Sequence, residues 1–285
     1  MKKIFLTGST SFLGSKFIEL YGEHFNIFGI SRSNRKHPVD LLDFVAVKKA
    51  YLDFQPDIII HTAADLGRDQ ATSNTIVETN PAITKNLIEL ALLQNIPFVF
   101  TSTEAVYGGK EQTGEYSESD PYKPRSPYGE SKVASEKLLI DSGLPYLITR
   151  GHRYVGVNKS YTKPKQFPDA ITTLTQNKEI HVDSHKLFKP CLINNIADVF
   201  AYYIENDFGK KVLINLGVDH ATTYYEFLID VADALDLNKT LIKPDGEETG
   251  WPQNSTLSLD KAKELNYPIP SYKEVLAVLK YDWFS

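Results

Sequence analysis

The stretch Lys3-Ile-Phe-Leu-Thr-Gly-Ser-Thr-Ser-Phe-Leu-Gly14, running on into Ser15-Lys-Phe-Ile-Glu-Leu-Tyr21, decides the fold. Its opening is a short apolar run suited to a buried strand, its middle is a turn between two glycines, and its end carries apolar residues at helical spacing. Strand, glycine turn and helix in this order let backbone N–H groups at a helix start face a pyrophosphate. Gly8 permits the tight turn, and Gly14 lets the helix pack closely on the strand. Ser11 stands where a third glycine is usual; it narrows the approach of backbone to phosphate but can donate a hydrogen bond. Gly8, Thr10, Ser11, Phe12, Leu13 and Gly14 are therefore candidate dinucleotide contacts.

The pattern continues outward from there. Asn26 to Ile30 reads as a second strand. An acidic residue at its end, about 20 residues beyond the glycine turn, would hold the ribose hydroxyls of NAD. The chain has Ser31-Arg32-Ser33-Asn34-Arg35-Lys36 instead, and small hydroxyls with cations suit a 2′-phosphate. NADP(H) is the preferred cofactor on this reading and NAD(H) the second choice. Asp40 and Leu41 precede a helical pattern from Phe44 to Phe54. A third strand, Asp57 to His61, ends in the small side chains Thr62, Ala63 and Ala64, as needed where a cofactor crosses strand ends. Asn80-Pro81 reads as the opening of a long helix from Ala82 to Gln94, with Asn80 either its N-cap or a group facing the cofactor.

Phe98 to Ser102 is the fourth strand, with Thr101 near its end and Thr103-Glu104 at its carboxyl edge. In open α/β sheets ligands bind outside that edge. Thr103 is placed to hold a substrate oxygen, and Glu104 could donate a proton or simply be solvated. The unpatterned stretch from Gly108 to Pro127 reads as a substrate-covering loop. Ser126-Pro-Tyr-Gly-Glu-Ser-Lys132 follows. Pro127 suits a first helical turn, and Tyr128 and Lys132, four apart, then share one face. A nearby cation favours the phenolate, so the pair can move a proton to or from a substrate oxygen.

Pro145 to Thr149 is a fifth strand. This alternation argues for an α/β fold, a Rossmann-type doubly wound parallel sheet with a smaller C-terminal substrate-binding part. The division expected is 1–150 for the NAD(P)-binding domain and 151–285 for a mainly substrate-binding region, with some elements returning to the core. Candidate elements there are helices at Phe167 to Gln176, Ile193 to Phe200, Tyr224 to Leu235 and Tyr272 to Leu279, and a strand at Val212 to Asn215.

Composition narrows the classes. A net charge of −5, from 31 basic and 36 acidic residues, gives no reason to expect nucleic acid or an anionic membrane as partner. Cys191 is the single cysteine, so no intrachain disulfide forms, and it reads as a small core residue. No apolar run approaches the ~20 residues of a membrane span, the start lacks a signal-peptide core, and a cytoplasmic protein is the default. His181 and His185 have metal-ligand spacing only if helical; a Val-Asp-Ser loop and the lack of a third ligand favour a solvated pair, and no metal is expected.

Together these residues resemble the extended short-chain dehydrogenase/reductase superfamily, and within it the dTDP-4-dehydrorhamnose reductase (RmlD) group. The resemblance rests on Thr7 to Gly14, Pro56 to Ala64, Asn80, Thr101-Ser-Thr-Glu-Ala-Val-Tyr-Gly108, Tyr128-x-x-x-Lys132, Asp40 to Asp43 and Pro252-Gln-Asn-Ser-Thr-Leu257. It implies catalytic roles for Thr103, Tyr128 and Lys132: Tyr128 exchanges the proton at a sugar carbonyl, Lys132 lowers its pKa and holds the nicotinamide ribose, and Thr103 orients the oxygen. Glu104, an accessory acid, stands where that group has an aspartate. The implied activity is NADPH-dependent reduction of a nucleotide-linked 4-keto-6-deoxy sugar. An NAD(P)-dependent epimerase and a non-catalytic nucleotide-binding regulatory subunit are the competing readings. Arg153, in place of an aromatic residue, and Trp251, in place of an arginine, bear on substrate identity, with Arg153 joining Thr103 and Glu104 as substrate contacts. Ala105 lacks the carboxylate that sugar-nucleotide dehydratases use as base. The helices around Ala82 and Lys132 could pair across a two-fold axis, as in homodimeric relatives.

Overall fold

In the computed structural model, residues 1–66, 75–109, 114–161, 165–245 and 254–285 are described. In chain order the elements begin β1 (Lys3–Thr7), α1 (Phe12–Tyr21), β2 (Asn26–Ile30), α2 (Phe44–Phe54), β3 (Ile58–His61), α3 (Ile76–Leu92), β4 (Phe98–Thr101), α4 (Pro127–Asp141) and β5 (Tyr146–Arg150). They continue with β6 (His152–Val155), α5 (Gln166–Thr175), β7 (Ile180–Asp183), β8 (Pro190–Leu192), α6 (Ile193–Asn206), β9 (Lys211–Asn215), α7 (Tyr224–Ala234), β10 (Ile242–Asp245), α8 (Asp260–Glu264) and α9 (Tyr272–Phe284).

Six strands form one sheet in the order β2-β1-β3-β4-β5-β9. From β2 to β5 every pairing is parallel, with Phe5 opposite Phe28 and Ile59, and Val99 opposite Ile60 and Leu147. Ile4, Phe5, Leu6 and Ile58 to Ile60 are all fully buried, as parallel strands covered on both faces require. One face packs Phe5, Tyr51, Ile59, Leu87, Phe98 and Leu139 into a common core. Phe17 of α1 also meets Phe200 of α6, with centroids 6.0 Å apart. The order reverses around β1, which makes this the Rossmann-type doubly wound arrangement. Its ligand crevice lies by rule at the carboxyl ends of the strands flanking the reversal.

The chain divides into two compact units: Met1–Gly108, Pro121–Arg150 and Ile196–Ile214 form one; Gly109–Asp120, Gly151–Asn195 and Asn215–Ser285 the other. The second unit has its own two-stranded pairs, β6 with β8 and β7 with β10. Its core gathers Phe167, Phe188, Tyr224, Phe227, Val231 and Val275. Strand β9 enters the main sheet although it lies far along the chain, because Lys211 to Ile214 pack beside β5.

One expectation needs correction. Helix α3 starts at Ile76, a turn before Asn80, and holds Pro81 inside it. Ile76 is buried at 1% exposure, and this apolar anchor extends the helix past the point where proline suggested a start. The stretch read as a covering loop is pinned in its described part: Tyr116 N–H donates to Thr256 O at 2.9 Å, Asn215 Nδ2 to Tyr116 O at 2.9 Å, and Ser258 N–H to Tyr116 O at 2.8 Å. Among the described residues no helix is long and apolar enough to cross a membrane.

Candidate active site

At the glycine turn, Gly8 adopts φ +73°, and a methyl group there would lie 2.7 Å from Ala63 N. A methyl on Gly14 would fall 2.2 Å from Gly8 O. The turn is thus a cradle that side chains would fill, and the donor chemistry around it fits a phosphorylated dinucleotide. Ser11 does not point a free hydroxyl outward. It is the N-cap of α1: its Oγ accepts from Gly14 N–H at 3.0 Å and sits 3.2 Å from Thr62 Oγ1. A serine at an N-cap satisfies a first-turn donor that glycine would leave to solvent.

Beside this turn lies a cluster of hydroxyls. Thr10 Oγ1 is 2.8 Å from Ser31 Oγ and 2.7 Å from Ser33 Oγ. Asn34 organises the loop: its amide donates to Ser9 Oγ and Gly29 O, and its carbonyl accepts from Lys36 and His37 N–H groups at 2.9 and 3.1 Å. Sequence reasoning passed over Asn34, although an asparagine after a strand is a common turn former. Arg32 is exposed and pairs with no other described residue. Asp40 Oδ1 accepts from Leu42 N–H at 3.1 Å, while the Leu41 side chain joins the core. Thr62 Oγ1 donates to Thr7 O at 2.9 Å, and Ala63 and Ala64 follow at the strand end.

Asn80 is buried and caps nothing. Its Oδ1 accepts from Asp65 N–H at 2.9 Å, and its Nδ2 donates to Asp65 O at 3.0 Å and Ser131 Oγ at 3.1 Å. It ties the segment after β3 to α4.

Helix α4 begins as the sequence implies. Ser126 is the N-cap, accepting from Gly129 N–H at 3.1 Å, and Pro127 occupies the first turn. Gly129 brings the helix against the turn after β4; a methyl there would lie 2.6 Å from Ala105 O. Thr103, Glu104, Tyr128 and Lys132 belong to this one region. Thr103 Oγ1 donates to Glu104 Oε2 at 2.7 Å and accepts from Ala105 N–H at 3.2 Å. Lys132 Nζ donates to Thr101 O at 2.8 Å, lies 4.6 Å over the Phe100 ring, and is 5.8 Å from the Tyr128 ring centre.

These positions reverse one expectation. The Tyr-x-x-x-Lys pattern predicts a phenol whose pKa is lowered by the ammonium. Burial, and after it the Glu104 carboxylate, push the Tyr128 phenol well above its ordinary range. Lys132, 5.8 Å from the ring centre with its ammonium donated to Thr101 O, does not offset that rise. Its own pKa is lowered to about 8 by burial, against an opposing pull from Glu136.

Behind the pair is a buried charged cluster that sequence reasoning missed. Glu136 and Arg150 are 0% and 1% exposed. Arg150 Nε and Nη2 donate to the two carboxylate oxygens of Glu136 at 3.0 and 2.6 Å. Ser102 Oγ also donates to Glu136, Tyr122 Oη does so at 2.8 Å, and Arg150 donates to Tyr107 and Tyr122. The signal was Glu136 falling one helical turn beyond Lys132.

In the second unit Arg153 has φ +45°. Its guanidinium donates to Gln166 Oε1 at 2.8 Å, lies 3.5 Å from Asp183 Oδ2, and stacks 4.6 Å from the Tyr224 ring centre. His181 is an exposed strand residue beside Glu179, and no metal-binding cluster exists among the described residues. Buried Cys191 donates to Leu216 O at 3.2 Å. Trp251, Pro252 and Gln253 lie outside the described residues; Asn254 to Leu257 are buried.

A profile of the RmlD substrate binding domain matches residues 1–281. The chain belongs to the RmlD family. It is 29% identical to a probable dTDP-glucose 4,6-dehydratase of Sinorhizobium fredii, over 60% of this chain and 57% of that protein. It is 24% identical to methionine adenosyltransferase 2 subunit beta of Rattus norvegicus, over 93% of this chain and 82% of that protein. The crystal structure of a Bacillus anthracis dTDP-4-dehydrorhamnose reductase in complex with NADP superposes with a TM-score of 0.87 at 20% identity, covering 99% of each chain. At that identity the likeness establishes the RmlD fold.

Proposed function

We propose that this RmlD-family chain is an NADPH-dependent reductase of a nucleotide-linked 4-keto-6-deoxy sugar. The observation that carries the reading is the joint placement of Thr103, Tyr128 and Lys132 at the carboxyl edge of the sheet, with Lys132 buried and held on Thr101 O. Gly8 to Gly14 would hold the pyrophosphate, Thr10, Ser31, Arg32 and Ser33 the 2′-phosphate, Asp40 and Leu41 the adenine side, Thr62 to Ala64 the dinucleotide path, and Lys132 the nicotinamide ribose. NADPH would supply the hydride.

The protein's own part is the proton. A phenol raised by burial is fully protonated near neutrality, which suits a donor to a carbonyl oxygen gaining negative charge. As Tyr128 gives up that proton, the Lys132 ammonium stabilises the phenolate left behind. Thr103 orients the same oxygen. Ala105, with no carboxylate, argues against dehydration of the kind named for the Sinorhizobium relative.

The test is NADPH consumption with a nucleotide-linked 4-keto-6-deoxy sugar by the wild type and Tyr128→Phe. A loss of about 100-fold or more is expected, the usual contribution of a positioned proton donor. Nucleotide content of the denatured protein separates the alternatives: tightly retained NAD(P)⁺ would favour the epimerase. A second reading, a nucleotide-binding subunit without turnover, is favoured by the match to the rat subunit over 93% of this chain. It predicts cofactor binding that survives Tyr128→Phe, with no turnover in either protein.

A further inference from the structure

Lys132 is 3% exposed and sits among groups that do little to keep it charged. From β4 it receives the carbonyl of Thr101 and the ring of Phe100. On β3 the nearby titratable group is His61, held neutral because burial, and then the Lys132 charge itself, lower its pKa to about 3. From α3 come the uncharged Asn80 and Thr84, bonded to Ser131 and Ser135. On its own helix Tyr128 is a protonated phenol, and Glu136, one turn beyond Lys132, is a buried carboxylate paired with the Arg150 guanidinium of β5.

Glu136 is unusually well fixed for a buried carboxylate. Both oxygens are engaged by Arg150, and Ser102 and Tyr122 add one bond each. Ser102 immediately precedes Thr103, and Arg150 closes β5, so the carboxylate fastens α4 to the ends of two neighbouring strands. Such a cluster costs much desolvation for little net stability, and apolar replacements of equal volume are commonly as stable. A role in setting position and charge accounts for it better than a role in stability.

We propose that Glu136 is a positioning residue acting through Lys132: clamped by Arg150, Ser102 and Tyr122, it holds the Lys132 turn of α4 against β4 and β5 and sets a carboxylate one helical turn from the ammonium. This rests on the reductase reading for its catalytic consequence, but the charge relationship stands without it. Burial lowers Lys132 and Glu136 opposes that lowering, so removing the carboxylate charge lets burial act unopposed.

The test is competitive acylation of the whole protein across pH, with the Lys132 peptide followed by mass spectrometry, in wild type and Glu136→Gln. The titration midpoint of Lys132 is expected to fall, by up to about one unit, the effect of losing an opposite charge one helical turn away. Any reductase activity should lose its alkaline side by the same shift. An unchanged midpoint in a folded Glu136→Gln protein overturns the proposal. If Arg150 left without its partner prevents folding, Glu136→Gln/Arg150→Met is compared with Arg150→Met, two proteins that differ in the carboxylate alone, and the difference between their Lys132 midpoints decides. Absence of turnover in the wild type would remove the reductase reading while leaving the Lys132 shift to be read on its own.

Discussion

Thr103 and Glu104 share one proton: Thr103 Oγ1 donates to Glu104 Oε2 at 2.7 Å. A substrate carbonyl oxygen can only accept, so the proton that Thr103 would offer it is held by its neighbour. The same carboxylate raises the Tyr128 phenol. Glu104→Ala should therefore do two things. It should release the Thr103 hydroxyl, and it should lower the Tyr128 pKa, moving the alkaline limit of proton donation to lower pH. Thr103→Val should lose roughly 10-fold to 100-fold in kcat, the value of one hydrogen bond to a charge-developing oxygen, while Thr103→Ser retains most of it. Steady-state pH profiles of the three variants check this; a profile unmoved in Glu104→Ala would mean that the carboxylate does not face the phenol in solution.

The hydroxyl cluster at the end of β2 bears on cofactor choice. Arg32 is exposed and pairs with no described residue, so its removal leaves the fold intact. Arg32→Ala should weaken NADPH about 10-fold or more while leaving NADH unchanged, because a guanidinium paired with a phosphate contributes more than a neutral contact. Thr10→Val should act in the same direction by breaking up Ser31 and Ser33. Fluorescence titrations with both cofactors decide it. Equal losses for NADH and NADPH would remove the 2′-phosphate assignment.

The strands and helices around this site were legible because each is short, apolar and bounded by glycine, proline or a polar cap. Lys3 to Thr7, Asn26 to Ile30 and Phe44 to Phe54 keep the limits that periodicity implies. The start of α3 was not legible, since buried Ile76 outweighs the local signal of Pro81, and burial is a property of the tertiary structure. The charge state of the Tyr128 and Lys132 pair was hidden for a like reason. Helical spacing places two side chains on one face, but desolvation and the direction of an ammonium depend on Thr101, Phe100 and Glu104, which come from other elements. Arg150 pairing with Glu136 could not be read from spacing, because the two meet only when β5 lies beside β4.

His61 links the same region to stability. Its Nδ1 lies 2.6 Å from Thr7 Oγ1, and burial followed by the Lys132 charge lowers its pKa from the ordinary 6.5 to about 3. The folded protein therefore keeps this ring neutral where the unfolded chain protonates it. Below pH 6.5 the unfolded state binds the extra proton, so stability falls with falling pH until about pH 3. The loss from this ring alone is of the order of 5 kcal/mol at its limit. Urea denaturation at pH 7 and pH 4.5 should show a drop that is smaller in His61→Asn. An equal drop in both proteins would assign the acid sensitivity to other groups.

Gly129 offers the sharpest structural test of how α4 meets the turn after β4. It follows Tyr128 directly, and a methyl group there would lie 2.6 Å from Ala105 O and 3.1 Å from Pro124 Cβ. The first of these neighbours is backbone, in the short turn Glu104–Val106 that Thr103 caps, so it cannot swing aside as a long side chain would. Gly129→Ala would be favourable on helix propensity alone, by up to about 1 kcal/mol. Overpacking should outweigh that gain, with a net cost of about 1–3 kcal/mol. The contact lies between the elements that carry Thr103 and Tyr128, so the displacement should also separate the two hydroxyls. Gly129→Ala is therefore expected to lower both the denaturation midpoint and kcat, with cofactor affinity at the glycine turn unchanged. A variant more stable than wild type with full activity would mean that α4 stands farther from Ala105 than 2.6 Å allows, and the close approach that brings Thr103 and Tyr128 together would have to be abandoned.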